Sequence, residues 1–442
     1  MNPHRCRDGA ALLVAGLFVV LSLPGCGSDD GDGDEGDSNE AKVDPCKDPK
    51  NPKRYRATFG GTGQDNGFGV AITSDGGTVM VGSNASGGPA SAWVVSVDEQ
   101  GATRWAKSLK AKVAKVVTAS GTDALVVDDD VTGTLIGVDG KDKWSRSWAT
   151  KLPADGFETP HAAIASGKGF VVVGTRYTTK HEKAKRKGRI WKIGENGLEV
   201  WSRTIGSDGK NTCEGLVERA DGDIITAGFS AAVVSGEGRQ VWVHAADKDG
   251  EKLWEQRHGG PLDDEGHSVV TAGDGYLVAA TTRSKGAGEA DLWMLRLDKQ
   301  GNLLWDQTYG GEGSDEPRAM GGLSDGSVIV VGRHTSEQTL PGGVWLLRID
   351  SEGKLLWEAT YGRAWKAEGT AIAIANDEYA AIGSTELNGA GSDDFWLLRG
   401  GEDGKPWCSG NTGAPCKGAG AEPCHAGLTC DVDMKPPMCQ QP

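Results

Sequence analysis

The chain has 442 residues, 62 acidic and 47 basic, for a formal net charge of -15; 37% are hydrophobic and 68 are glycine. That balance excludes a nucleic-acid partner, because no basic excess exists to neutralise phosphates. The glycine content points to many turns.

The first predicted element is an export signal. Arg5 and Arg7 precede an apolar run from Ala10 to Leu23, too short to span a bilayer comfortably. The run ends in "LPGC" at 23–26, which resembles the lipobox of bacterial lipoproteins. The resemblance implies a signal peptide at 1–25, lipidation of Cys26, and firm attachment to a membrane through several acyl chains. Gly27 stands where the family's inner-membrane retention rule has Asp, which implies the outer membrane or cell surface. Residues 26–52 are acidic and nearly free of large apolar side chains, so a disordered tether is expected there.

From 53 to 407 the chain repeats itself. "WLLRIDSEGKLLW" at 345–357 nearly copies "WMLRLDKQGNLLW" at 293–305, with further copies at 93–105 and 242–254 and worn ones between. The closing tryptophans fall at 105, 144, 201, 254, 305, 357 and 407, a period of about fifty that matches the longer propeller repeats. Asp350-Ser351-Glu352-Gly353 reads as a type I turn with Gly at the left-handed position, hence a hairpin. Counting alternate side chains places Trp345 and Trp357 on one face, in one core cluster. Each period holds an earlier hairpin as well, as in "AITSDGGTVMVG", so four strands per unit follow. The expected fold is all-β: a seven-bladed β-propeller of four-stranded antiparallel blades. Tyr55 to Phe59, related to the later outer strands, is predicted to close the ring beside "FWLLR" at 395–399. The rival is eight blades, or an open array, with Trp407 forming its own outer strand.

This pattern resembles the repeat propellers of bacterial secreted and lipid-anchored proteins, and its "LD..G..LW" part is similar to the tryptophan-docking repeat of quinoprotein dehydrogenases and of the propeller lipoprotein of outer-membrane assembly. Here Gly lies three places after Asp, at Asp298 to Gly301 and Asp350 to Gly353, where that repeat has four.

Residues 408–442 carry Cys408, Cys416, Cys424, Cys430 and Cys439 among Gly and Pro; with Cys46 they make six disulfide candidates in a small stapled tail. Cys213 is left as a core residue. "GLSDG" at 322–326 matches a hydrolase elbow in letters only, because its strand turns into a strand and not a helix. Two groups merit attention as binding residues. Asp65, Glu158, Glu214, Asp264, Glu265, Asp315, Glu316 and Glu368 are expected immediately before the first strand of their blades, in loops around one mouth of the channel, where a ring of acids would hold a calcium ion or a basic partner unless the acids merely shape turns. Lys183, Lys185, Arg186, Lys187 and Arg189 form a basic run suited to an anionic glycan or lipid headgroup. No cofactor is expected apart from that calcium. The functional expectation is a monomeric, lipid-anchored extracytoplasmic binding or scaffold protein for a protein or glycan ligand. The alternatives are a lectin or a propeller enzyme, quinone-dependent or acting on glycans.

Overall fold

The computed structural model describes residues 42–47, 51–86, 88–150, 152, 156–178, 185–206, 209–231, 238–335, 342–361, 367–385, 393–403, 429–431 and 438–440. Blades one to six span 66–108, 114–147, 157–205, 215–258, 264–309 and 315–361. The seventh combines 367–401 with Tyr55–Phe59, and no helix occurs among the described residues. Each blade's first strand packs beside that of the next, and Ala367–Ala375 lies beside Asn66–Ile72, so the seven meet in a closed ring. The predicted closure is observed: Tyr55 pairs with Arg399 and Phe59 with Phe395. Trp407 lies outside the described residues. Blades three and four share one sheet because the short strand Lys210–Asn211 pairs with both. One strand was not anticipated. Lys42–Lys47 pairs antiparallel with Tyr55–Phe59, within the stretch expected as a tether; an unpaired sheet edge offers it a ready ladder.

The expectation for the paired tryptophans needs correction. Ile349 faces Leu355 but Arg348 faces Trp357, so Leu356 is an extra residue in the outer strand. A one-residue bulge flips every later side chain to the other face. Trp357 therefore shares a face with Arg348 and packs with Trp396 in the next interblade core, while Trp345 packs with Trp305 and Met294 in the preceding one. The same shift recurs at Arg296/Leu297, Ala245/Ala246, Lys192/Ile193, Ser96/Val97 and Asp142/Trp144.

The flip explains how blades lock together. Each outer-strand tryptophan turns toward the next blade and lies on the turn that follows its third strand: Trp105 donates to Val138 O at 2.9 Å, Trp144 to Glu195 O at 3.0 Å, Trp201 to Lys248 O at 3.2 Å and Trp357 to Glu402 O at 3.0 Å. Trp254 and Trp305 lie against Gly301 and Gly353 in the same way. Gly301 shows why the turn demands glycine, since its φ is 79° and a Cβ there would sit 2.4 Å from the Trp254 ring. Tyr55, on the closing strand, lies against Gly101 of the first blade and so supplies the seventh contact.

His244 is 1% exposed, and burial, aided by Lys252, lowers its pKa to about 4. An unfolded chain takes up that proton near pH 6.5 and the native protein does not, so stability is lost as pH falls from about 6.5 toward about 4. The drop attributable to His244 is about 3 kcal/mol at most. Urea melts at pH 7 and 4.5 should show it, and His244→Gln should remove that share of the difference and leave the rest.

Candidate functional site

The repeated acids come first because they repeat. Asp65 accepts from Gly61 N at 2.8 Å, Ala85 N at 2.9 Å and Ser86 Oγ at 2.8 Å. Asp264 accepts from Gly260 N at 2.7 Å, Ser284 Oγ at 2.9 Å and the Thr282 hydroxyl. Asp315 accepts from Gly311 N at 2.6 Å and Thr335 N at 3.1 Å, with His334 Nδ1 at 2.6 Å. All three are 0% exposed, so each ties a Gly-Gly loop to the neighbouring hairpin. The other acids are dispersed. Glu158 is buried beside Arg176 and Arg189, both at 3.0 Å; Glu265 pairs with Arg239; Glu316 pairs with Arg318 at 3.0 Å; Glu368 is half-buried opposite Ser384. Among the described residues no three His, Cys, Asp or Glu are placed to hold a metal ion. Asp315→Ala should lower stability by about 2–4 kcal/mol by stranding its donors. The melting temperature should fall equally with calcium and with chelator present.

A different ring of residues does converge. Six of the seven inner strands carry a one-residue bulge near their start, and the extra residues lie where neighbouring inner strands pack together. These residues are Phe68, Lys115, His161, His267, Arg318 and Thr370. Glu214 completes the set, its amide bonding Ala227 O at 2.8 Å beside the Gly215–Ala227 pair. All seven are half-buried. They meet across blades: Lys115 Nζ lies 4.8 Å from the Phe68 ring centre, Thr370 Oγ1 donates to Gly67 O at 2.8 Å, and His161 Nδ1 lies 2.9 Å from Glu214 Oε2. His161 Nε2 is buried with no hydrogen-bond partner. Burial alone would raise the Glu214 pKa, but His161 and His267 outweigh it and hold the carboxyl at about 2. Burial and Arg318 bring His267 down to about 4, so its imidazole is neutral near neutrality. Of these seven only Glu214 was singled out from sequence. The missed signal was contrast: in "DNGFG", "DEGHS" and "DEPRA" the fourth residue changes while its surroundings recur.

The basic run divides. Arg189 is 4% exposed and committed to Glu158, Arg186 lies 5.2 Å from the Tyr177 ring centre, Lys187 Nζ reaches Gly206 O at 3.3 Å, and Lys185 is exposed. Lys183 lies outside the described residues, as do Cys26, Cys408, Cys416 and Cys424. Cys430 and Cys439 are paired opposite each other in a two-stranded antiparallel sheet, and Cys46 falls in the strand Lys42–Lys47. Cys213 is 0% exposed, its thiol pushed up to about 12 by burial.

Among solved structures the chain resembles BamB from Moraxella catarrhalis at 15% identity and a TM-score of 0.39, over 75% of this chain and 83% of that one. It also resembles Sqt1 from Chaetomium thermophilum at 12% identity and a TM-score of 0.46, over 73% and 80%. No curated protein matches. A family model described as outer membrane protein assembly factor BamB matches residues 56–243, which run from the closing strand into the fourth blade, so over that stretch the chain distantly resembles that propeller family.

Proposed function

We propose that this protein is a lipid-anchored binding or scaffold propeller of the cell envelope, held at the outer membrane or cell surface through Cys26, and that it engages its ligand at the channel mouth. One observation carries the reading. Positions that build the fold recur from blade to blade, whereas the seven residues Phe68, Lys115, His161, Glu214, His267, Arg318 and Thr370 are of six different kinds, as expected of a site that exists once. The match to the outer-membrane-assembly family supports the envelope address. The test is capture from native envelopes using the chain with Cys26→Ser, compared with a variant also carrying Lys115→Glu, His161→Ala and Arg318→Gln. The mouth variant should lose the captured ligand, and equal recovery by both would sink the reading. We further propose a disulfide between Cys430 and Cys439, because directly opposed cross-strand residues lie within disulfide reach. Non-reducing peptide mapping should recover the two linked; alkylation of both without reduction would refute it.

A further inference from the structure

We infer that the mouth-side edge of the third blade, with the adjoining lysines of the second, binds an acidic polysaccharide; this rests on the binding role proposed above and names a ligand class for it. Three strand ends set flat groups in a row. Phe157 opens the inner strand opposite Tyr177, and Tyr177 lies opposite Arg186 at the start of the third strand. The Phe157 and Tyr177 rings stack with centres 4.3 Å apart and planes 5° from parallel, and the Arg186 guanidinium lies 5.2 Å from the Tyr177 ring centre. Phe157 is 39% exposed and supplies the one aromatic ring among the exposed large hydrophobic residues described, so burial does not account for it.

Further cations lie at the same end of these two blades. Lys110 and Lys112 precede the second blade's inner strand and Lys185 precedes the third blade's third strand, so antiparallel order puts all three at the mouth side with Phe157. They are exposed, Lys115 is half-buried, and none of the four has an acidic partner among the described residues. Other basic groups are matched by acids of the same blades, as in Lys107–Asp142 at 2.6 Å and Arg176–Glu158 at 3.0 Å. Asp129 lies close by, but its carboxylate accepts from Val113 N at 3.2 Å. Unmatched cations in a chain of net charge -15 form a local field for an anion. An acidic peptide would use the ammonium groups and leave the ring uncovered. A sugar acid uses both, laying the C–H face of its ring on Phe157 and its carboxylate among the lysines.

The probe is polygalacturonate, titrated into the mature chain carrying Cys26→Ser, with dextran, polyglutamate and oligothymidylate as comparisons. Binding is expected to polygalacturonate and not to dextran, and to weaken between about 50 and about 300 mM salt. Phe157→Ala should weaken it about ten-fold at unchanged melting temperature, since that ring is not core. Lys112→Glu with Lys185→Glu should abolish it. Absence of binding at low salt, an undiminished Phe157→Ala variant, or tighter binding of polyglutamate or oligothymidylate would overturn the inference. If polygalacturonate fails while envelope capture still depends on Lys115, His161 and Arg318, the ligand class is wrong and the binding role stands.

Discussion

Trp345→Ala is expected to cost about 3–5 kcal/mol, the range for deleting a buried indole. Trp345 is 1% exposed and fills the core between the fifth and sixth blades with Met320, Val330 and Leu347. Trp357→Ala should cost less, because that ring is half-buried at the edge of its interblade core and loses mainly that packing and its hydrogen bond to Glu402 O. The combination is the sharper experiment. Were both indoles in one cluster, the double variant would depart from the sum of the singles by a kcal/mol or so; in separate interblade cores the losses should add within about 0.5 kcal/mol. Urea melts of the four proteins measure this, and strong coupling would mean that the bulge at Leu356 does not flip the strand.

Removing the closing strand should be more damaging still. A chain beginning at Gly60 lacks Tyr55, Ala57 and Phe59, each at most 1% exposed and packed against Trp93 and Phe395. Losing the two aromatic side chains alone costs about 6–10 kcal/mol, comparable with the whole stability of an ordinary domain. It also bares the edge of Asp394–Gly401, an invitation to self-association. This chain should show no cooperative melt and should elute as aggregate, whereas one beginning at Asn51 should keep a sharp transition. Adding a peptide of residues 53–61 should restore the monomer. A cooperative monomer without the peptide would show that the ring does not need the strand.

How much of this could be read in the sequence follows from what repetition encodes. The hairpin turns, the four strands and the joining of Tyr55–Phe59 to the last blade were legible because Asp, Gly and alternating apolar residues encode them locally. The face of Trp357 was not. A bulge is set by one residue without a mark of its own: Leu356 looks like Leu355, yet Ile349 pairs with Leu355 and Arg348 skips to Trp357. The acids misled in a related way. Asp65, Asp264 and Asp315 were visible because they recur, and they recur because each loop needs an acceptor for its amides. His161, His267 and Arg318 could not be assigned to a site because residues outside a regular series carry no periodic signal, and only the inner-strand bulges set them against the neighbouring blades.

The aromatic contacts running from Tyr55 on Gly101 around to Trp357 on Glu402 carry one more consequence. A linear stack of modules frays inward from two free ends. A hoop whose last clasp is worn by its own leading segment has no such ends, so partial opening gains little. Amide exchange from all seven inner strands should then report a single shared event, with one common protection, in place of a gradient along the chain.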